Sequence, residues 1–296
     1  MGSASATVEL NSLASDDSGT LYAAGTTPSQ LPSGPAKIGT KDGFLIKVNP
    51  TTGATTWLQT IGTTNGAMSD ETESAAVVVT RDGSQIYLMG SVNGDLTASG
   101  QDDDSIYLAK YSSSGTGPIW VRQTKDGNGP KRGLGSVALS PDESRVTFVG
   151  TTSIELIAGN NLTSSHLYKF TYDTAGNQTS FEQIASDRST KVRDLSILAD
   201  GSFIATGYTD SSLTGGSTIG STDWFVVKFA SNLTRSWLVE RGMSGRTSQC
   251  MGSALDSAGN IITAGFSTGD LSAGSGAAPG GTAGYLLGFK PDGAPF

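Results

Sequence analysis

An internal repeat of about 60 residues is the feature that most limits what this chain can fold into. A run of small or apolar residues ending in glycine occurs five times along the 296 residues. The five landmark glycines are Gly25, Gly90, Gly150, Gly207 and Gly265. Similarity at a fixed period indicates that one supersecondary unit is repeated and stacked on its neighbours.

Each of the first four repeats holds four short segments rich in Val, Ile, Thr and aromatic residues, which is typical of strands, and the fifth holds three. Segment A is an apolar run, and segment B ends at the landmark glycine. Segment C is an aromatic residue followed three positions later by Lys, and segment D contains a large aromatic. The C segments start at Phe44, Tyr107, His166, Phe225 and Tyr285; the D aromatics are Trp57, Trp120, Phe181 and Trp237. Asp82-Gly83 illustrates the tight turns between A and B, where glycine supplies a positive φ.

Four antiparallel strands per repeat are the pattern of a propeller blade, so the sequence predicts an all-β protein. We expect one β-propeller domain over residues 1–296, with repeats at about 6–65, 66–128, 129–185, 186–245 and 246–296. The fifth repeat has no candidate for segment D, so its blade should have three strands and an open outer edge. Either a longer protein or a neighbouring molecule would supply the missing strand.

Three stretches resemble a known bacterial repeat. Residues 42–62 contain Asp42, Phe44, Lys47 and Trp57 at its characteristic spacing, and residues 222–228 and 256–265 follow the same pattern. This pattern is similar to that of the SBBP repeat. The resemblance implies a β-propeller that is commonly secreted or placed on a cell surface, and it supplies neither an activity nor a fixed binding residue.

Charge and composition exclude several classes of function. The net charge of −8 disfavours binding to nucleic acid or to an anionic membrane. No apolar window is long enough for a transmembrane helix. The single Cys250 and single His166 cannot form an intrachain disulfide or a Cys/His zinc site. No glycine-rich loop fits a dinucleotide, so we predict no cofactor.

The periodic residues are first interpreted as structural. His166 falls in a position that holds an aromatic in the other repeats, so we expect it to pack rather than catalyse. Trp57, Trp120 and Trp237 are interpreted as wedges between blades, with sugar stacking as the alternative. The recurrent lysines either lay their stems along the sheet or form a ring of cations for an anionic ligand.

Candidate binding residues lie in the segments that join D to the next A, which should gather with the B–C loops on one face. Their charges differ between repeats while the framework recurs, and specificity often lies in such loops. They are Asp70, Glu73, Arg132, Arg188 and Arg246. Asp102, Asp103 and Asp104 form the densest acidic cluster, either a solvated loop or a weak Ca²⁺ site, since their spacing is not that of a Ca²⁺-binding loop. We predict no other metal.

From these observations the sequence favours a non-catalytic recognition or adhesion module, with a protein or glycan bound at the loop face. A structural scaffold that self-associates through blade edges is the alternative. A carboxylate-based hydrolase or lyase is the third hypothesis, because glycosidase-type chemistry needs only a pair of acids. Among 27 acidic residues the sequence singles out no such pair.

Overall fold

A computed structural model describes residues 7–65, 69–98, 104–124, 135–152, 166–184, 188–215, 217–271, 278 and 281–296. These residues form 19 strands in five antiparallel sheets and contain no helix. Each sheet corresponds to one repeat of the sequence. Among the described residues, no helix is long and apolar enough to span a membrane.

We call the sheets blades 1 to 5, and the strands of each blade follow one another in chain order. Blade 1 consists of β1 (Glu9–Ser15), β2 (Leu21–Thr27), β3 (Asp42–Val48) and β4 (Thr55–Ile61). Blade 2 consists of β5 (Thr72–Val79), β6 (Gln85–Asn93), β7 (Asp104–Ser112) and β8 (Pro118–Gln123). Blade 3 consists of β9 (Ser136–Leu139), β10 (Arg145–Thr152), β11 (His166–Asp173) and β12 (Gln178–Ile184).

Blade 4 consists of β13 (Thr190–Ile197), β14 (Phe203–Thr209), β15 (Asp223–Phe229) and β16 (Arg235–Arg241). Blade 5 has three strands, β17 (Ser248–Leu255), β18 (Ile261–Ser267) and β19 (Ala283–Phe289). The predictions of an all-β propeller with five repeats, and of a last blade without its outer strand, are therefore confirmed.

The landmark glycines allow two chains to approach closely inside each blade. A Cβ on Gly25 would lie 2.0 Å from the Glu9 carbonyl oxygen and 2.4 Å from the Phe44 ring. Gly90 faces the Glu73 carbonyl and the Tyr107 ring in the same way. Any side chain here would push strand A or the aromatic of strand C out of place, so the glycine recurs in every blade.

The strand register corrects the sequence alignment of blade 3. The residue paired with the landmark glycine is Phe44 in blade 1, and in blade 3 it is Tyr168 opposite Gly150. His166 lies two positions before Tyr168 on β11 and pairs with Thr152 instead. The spacing to Lys169 misled the alignment, because that lysine is also displaced by two residues. His166 is fully buried, but it does not occupy the aromatic position that the sequence predicts for it.

Successive blades pack face to face through apolar clusters and a repeated polar tie. The indole Nε1 of Trp57 donates to the Ser113 carbonyl in the C–D turn of blade 2, at 3.0 Å. Trp120 and Trp237 donate likewise to Thr174 and Pro291 of the next blade, at 3.3 and 3.2 Å. All three indole groups thus bond to the C–D turn of the next blade.

The recurrent lysines reach the same turns. Lys110 Nζ donates to the Thr174 carbonyl at 2.8 Å, and Lys228 Nζ donates to the Pro291 carbonyl at 3.1 Å. Lys169 Nζ donates to the Leu233 carbonyl of blade 4 and faces Glu182 at 3.4 Å. These three ammonium groups therefore tie blades together, which matches the structural interpretation of the lysines and not a ring of cations around a ligand.

Candidate functional site

Two buried aspartates fix the loop end of blades 1 and 4. Asp42 accepts hydrogen bonds from the Ile38 and Gly39 amides, at 2.7 and 2.8 Å. Asp223 accepts the equivalent bonds from Ile219 and Gly220, at 2.8 and 2.7 Å. Both side chains are fully buried. We call Asp42 and Asp223 the clamp aspartates, because each holds the B–C loop of its blade against the start of strand C.

A second position at this end, on strand D, faces the B–C loop from the other side. Its residue pairs with the aromatic of strand C, and we call it the acceptor position. Thr60, Gln123, Gln183 and Glu240 occupy it in blades 1 to 4. Blade 4 is therefore the one described blade in which this position carries a titratable group.

In blade 2 the acceptor position is satisfied by an amide. Gln123 Oε1 accepts from the Leu96 amide of the B–C loop at 2.9 Å. Its Nε2 donates to the Gly94 carbonyl at 2.7 Å and to Ser105 Oγ at 3.2 Å. One side chain thus supplies both the acceptor and the donor that hold the loop.

In blade 4 a carboxyl group stands in the same place. Glu240 Oε2 accepts from the Leu213 amide at 2.9 Å, as Gln123 Oε1 does from Leu96. Glu240 Oε1 is buried and has no hydrogen-bond partner among the described residues. The strand register puts Asp223 where blade 2 has Ser105, so two carboxyl groups meet where blade 2 pairs an amide with a hydroxyl.

This environment favours the protonated form of Glu240. The side chain is 9% exposed, and burial raises its pKa above the usual value of a glutamate. The nearby negative charge of Asp223 raises the pKa further, while the amides of Leu213 and Thr214 oppose the shift. A buried carboxyl whose pKa is raised by burial and by a neighbouring carboxyl group is the arrangement that acid–base enzymes use for a proton donor.

The charged loop residues singled out by the sequence lie in three separate places. Glu73 forms an ion pair with Lys41, with 2.5 Å between Oε1 and Nζ. The carbonyl of Asp70 accepts from the Thr40 amide, and that of Arg246 accepts from Ser221, so these two hold equivalent backbone positions after blades 1 and 4. Arg188 is exposed just before β13. Arg132 lies outside the described residues.

The acidic cluster cannot be placed as a unit. Asp102 and Asp103 lie outside the described residues, and of Asp104 only the backbone, at the start of β7, is described. Within the part of the chain that the structure describes, no group of three or more His, Cys, Asp or Glu side chains could hold a metal ion.

Sequence reasoning missed Glu240. Its signal was present, because Trp120-Val-Arg-Gln123 and Trp237-Leu-Val-Glu240 share one pattern in which Glu replaces Gln. The B–C loops add a second signal in Leu96-Thr97 and Leu213-Thr214. Only the register shows that these two motifs meet and that Asp223 lies beside them.

Comparison with known proteins finds similar solved structures. No family model matches the chain, and no curated protein sequence matches it. Among solved structures, the periplasmic gluconolactonase PpgL of Pseudomonas aeruginosa matches with 13% identity and a TM-score of 0.46, over 96% of this chain and 83% of that one. The α-L-arabinofuranosidase of Lactobacillus brevis matches with 12% identity and a TM-score of 0.42, over 97% and 93%.

A third match is the β-propeller domain of the Trilobed protease of Pyrococcus furiosus, with 8% identity and a TM-score of 0.40, over 96% of this chain and 81% of that one. These matched proteins are enzymes or, in the third case, part of a protease. This finding overturns the prediction of a non-catalytic recognition or adhesion module with a self-assembling scaffold as its alternative. The sequence had ranked catalysis last because no single carboxyl stood out among its acids. The fold itself rests on the five antiparallel sheets of this chain, which is a β-propeller.

Proposed function

We propose that this β-propeller is a hydrolase-type enzyme in which Glu240 acts as the proton donor. The observation that carries the proposal is the state of its carboxyl group: buried, with a raised pKa, and with one oxygen free of hydrogen bonds among the described residues. Such a group can protonate the leaving oxygen of an ester, lactone or glycoside. Asp223 supports this role by disfavouring ionisation of Glu240.

Access to Glu240 is controlled by the B–C loop of blade 4. The Leu213 amide bonds directly to the carboxyl group, so the loop covers it in the present conformation. Gly215 has a φ of +81°, which a residue with a side chain would adopt only under strain. In our proposal the loop swings near Gly215 and releases the Leu213 bond, and the substrate then takes its place.

The charged loop residues would then orient the substrate. Arg188 is exposed. Arg246 lies in the segment that joins blade 4 to blade 5. In this segment Thr247 forms a bridge with Thr222, the residue before Asp223. Asp70 lies in the corresponding segment after blade 1, and Glu73 lies just beyond it on β5. In this proposal the protein or glycan that the sequence predicts as a binding partner is instead the substrate. The repeats are still proposed to be of the SBBP type.

The test is a Glu240→Gln variant assayed on aryl esters, lactones and aryl glycosides. Gln is native at the acceptor position of blades 2 and 3, so the variant should fold. Loss of a general acid should lower kcat/KM by about 100-fold. Wild-type activity should also fall as the pH rises through the raised pKa of Glu240, because the donor must be protonated.

Gln123→Glu is the matched control, because it makes the reverse change at the same position of blade 2 and should leave activity unchanged.

Replacing Arg132, Arg188 and Arg246 together with Ala should raise KM and leave kcat within a few-fold. The proposal would be ruled out if the wild-type protein hydrolysed none of these substrates, or if Glu240→Gln kept full activity.

A further inference from the structure

A row of three paired residues runs across strands B, C and D near the A–B turns, and blade 4 departs from it. In blades 1 and 2 the row reads tyrosine, lysine, tryptophan, and in blade 4 isoleucine replaces the tyrosine. The rows are Tyr22, Lys47 and Trp57 in blade 1, Tyr87, Lys110 and Trp120 in blade 2, and Ile204, Lys228 and Trp237 in blade 4. Blade 4 therefore keeps the lysine and the tryptophan without the phenol ring.

Blade 1 shows what the tyrosine does at the junction with the next blade. Tyr22 is fully buried, and its hydroxyl donates to Asp16 Oδ2 in its own A–B turn at 3.2 Å. The same hydroxyl lies 3.4 Å from the Gly83 carbonyl oxygen in the A–B turn of blade 2. Lys47 Nζ lies 5.5 Å from the centre of the ring, and the lysine of blade 2 lies over its tyrosine likewise, at 5.6 Å. The phenol ring thus fills the space between two A–B turns and a lysine.

The corresponding space between blades 4 and 5 is open. A cleft of about 440 Å³ lies there, lined by the A–B turns of both blades and by the lysine of the row. Its lining includes Ile197, Leu198, Asp200, Lys228, Asp256 and Pro291. Ile204 is fully buried and has no ring to place under the lysine. Among the described residues, Lys228 accordingly has no cation–π contact. The cleft corresponds to the place that a tyrosine fills in blades 1 and 2.

The groups around this cleft suit a phenol. Leu198 and its apolar neighbours supply a surface for the ring, and the Lys228 ammonium group can face the ring as Lys47 faces Tyr22. The carboxylates of Asp200 and Asp256 can accept from the hydroxyl, as Asp16 does in blade 1. A single ring with a hydroxyl leaves part of this volume free, so the ligand can carry a substituent.

We propose that the cleft between blades 4 and 5 binds a small phenolic molecule, whose ring takes the place that Tyr22 holds in blade 1. The hydroxyl donates to a carboxylate of the A–B turns, and Lys228 lies over the ring. The volume of the cleft falls in the range of small-molecule sites. The A–B turns lie at the opposite end of the blades from the B–C loops and Glu240, so this inference does not depend on the proposed enzyme function.

The test titrates p-cresol, which is the tyrosine side chain as a free molecule, into the full isotope-labelled chain and follows the amide chemical shifts. We expect saturable shifts at Asp200, Ser257 and Gly259, with a dissociation constant of about 1 mM or lower. The alicyclic analogue para-methylcyclohexanol has a similar size without a π-face, and it should bind about fivefold more weakly or worse. Equal binding of the two molecules, or the absence of saturable shifts at the cleft, would overturn the proposal.

On the protein side, Ile204→Tyr gives blade 4 the row of blades 1 and 2 and should abolish p-cresol binding, because the new ring fills the cleft. Lys228→Met removes the ammonium group and should weaken binding about fivefold. Lys47→Met is the matched control, because Lys47 already lies over Tyr22, and it should leave p-cresol binding unchanged. Melting temperatures check the fold, and the two lysine variants decide the question if Ile204→Tyr does not fold. Undiminished binding in folded Ile204→Tyr, or equal effects of the two lysine variants, would contradict the proposal.

Discussion

Blades 2 and 4 share the same strand framework, and we compare three positions at which they differ. At these positions the blade contacts its own B–C loop or the neighbouring blade. Blade 2 has Gln123 beside Ser105, whereas blade 4 has Glu240 beside Asp223. Blade 2 has Gly115 in its C–D turn, whereas blade 4 has Leu233 there, with similar positive φ values of 64° and 72°. At these three positions blade 2 pairs an amide with a hydroxyl and places glycine at the positive φ, while blade 4 has two adjacent carboxyl groups and a leucine at the positive φ. Active sites are commonly placed where such costs are tolerated.

The largest expected effect comes from giving blade 2 the turn residue of blade 4. A Cβ on Gly115 would lie 2.5 Å from the Trp57 ring. The positive φ at this position also strains the backbone of any residue with a side chain. We expect Gly115→Leu to lower the free energy of unfolding by about 4 kcal/mol, from backbone strain and overpacking together. Urea denaturation measures the change.

Gly53 provides the control for this prediction. It has a φ of +68° in the C–D turn of blade 1, and a Cβ there would meet nothing within 4 Å. Gly53→Leu should therefore show only the backbone cost of about 1–2 kcal/mol. Equal losses in the two variants would mean that contact with Trp57 does not decide the residue at this turn.

The next largest loss of stability is expected at the strand C position beside the acceptor side chain, which holds Asp223 in blade 4 and Ser105 in blade 2. Asp223→Ala leaves the amides of Ile219 and Gly220 without their acceptor and should cost about 3 kcal/mol. Ser105→Ala removes the hydrogen bond that Gln123 Nε2 donates to Ser105 Oγ and should cost about 1 kcal/mol. Thermal or urea unfolding of both variants gives the comparison, and a similar loss in each would show that Asp223 does not clamp its loop.

The smallest effect is the exchange of acceptor residues. Glu240→Gln should raise the free energy of unfolding at pH 7 by about 1 kcal/mol, because the amide can donate where the carboxylate repels Asp223. Gln123→Glu should lower it by a similar amount. A destabilised Glu240→Gln protein would contradict the equivalence of the two positions.

The pH dependence sharpens this last comparison. The folded pKa of Glu240 is raised, so the folded state holds this proton more tightly than the unfolded chain does. Its contribution to stability is fully present below the unfolded pKa and is lost as the pH rises through the folded value. The gain from Glu240→Gln should therefore vanish towards acidic pH. Unfolding curves across the acidic to neutral range measure this, and a constant gain would argue against the raised pKa.

Much of the fold could be predicted from local patterns. The landmark glycines, the aromatic of strand C and the Trp of strand D recur because each blade needs the same close approach and the same wedge. Blade 3 shows where this reasoning fails. Lys169 lies two residues from the position of the other lysines, so sequence spacing placed His166 in an aromatic position that Tyr168 occupies. Spacing cannot detect such a shift, because a displacement of two residues keeps every side chain on the same face of a strand.

The sequence by itself determined the repeat and the strand order within a blade, since both follow from hydrophobic alternation and turn residues close together in the chain. The tertiary structure decided which polar residues act on one another. Glu240 lies 17 residues from Asp223 and 27 from Leu213, and only the pairing of β16 with β15 brings the three together. The pKa of Glu240 is raised by burial and by the charge of Asp223, and neither is a property of a residue in an isolated segment.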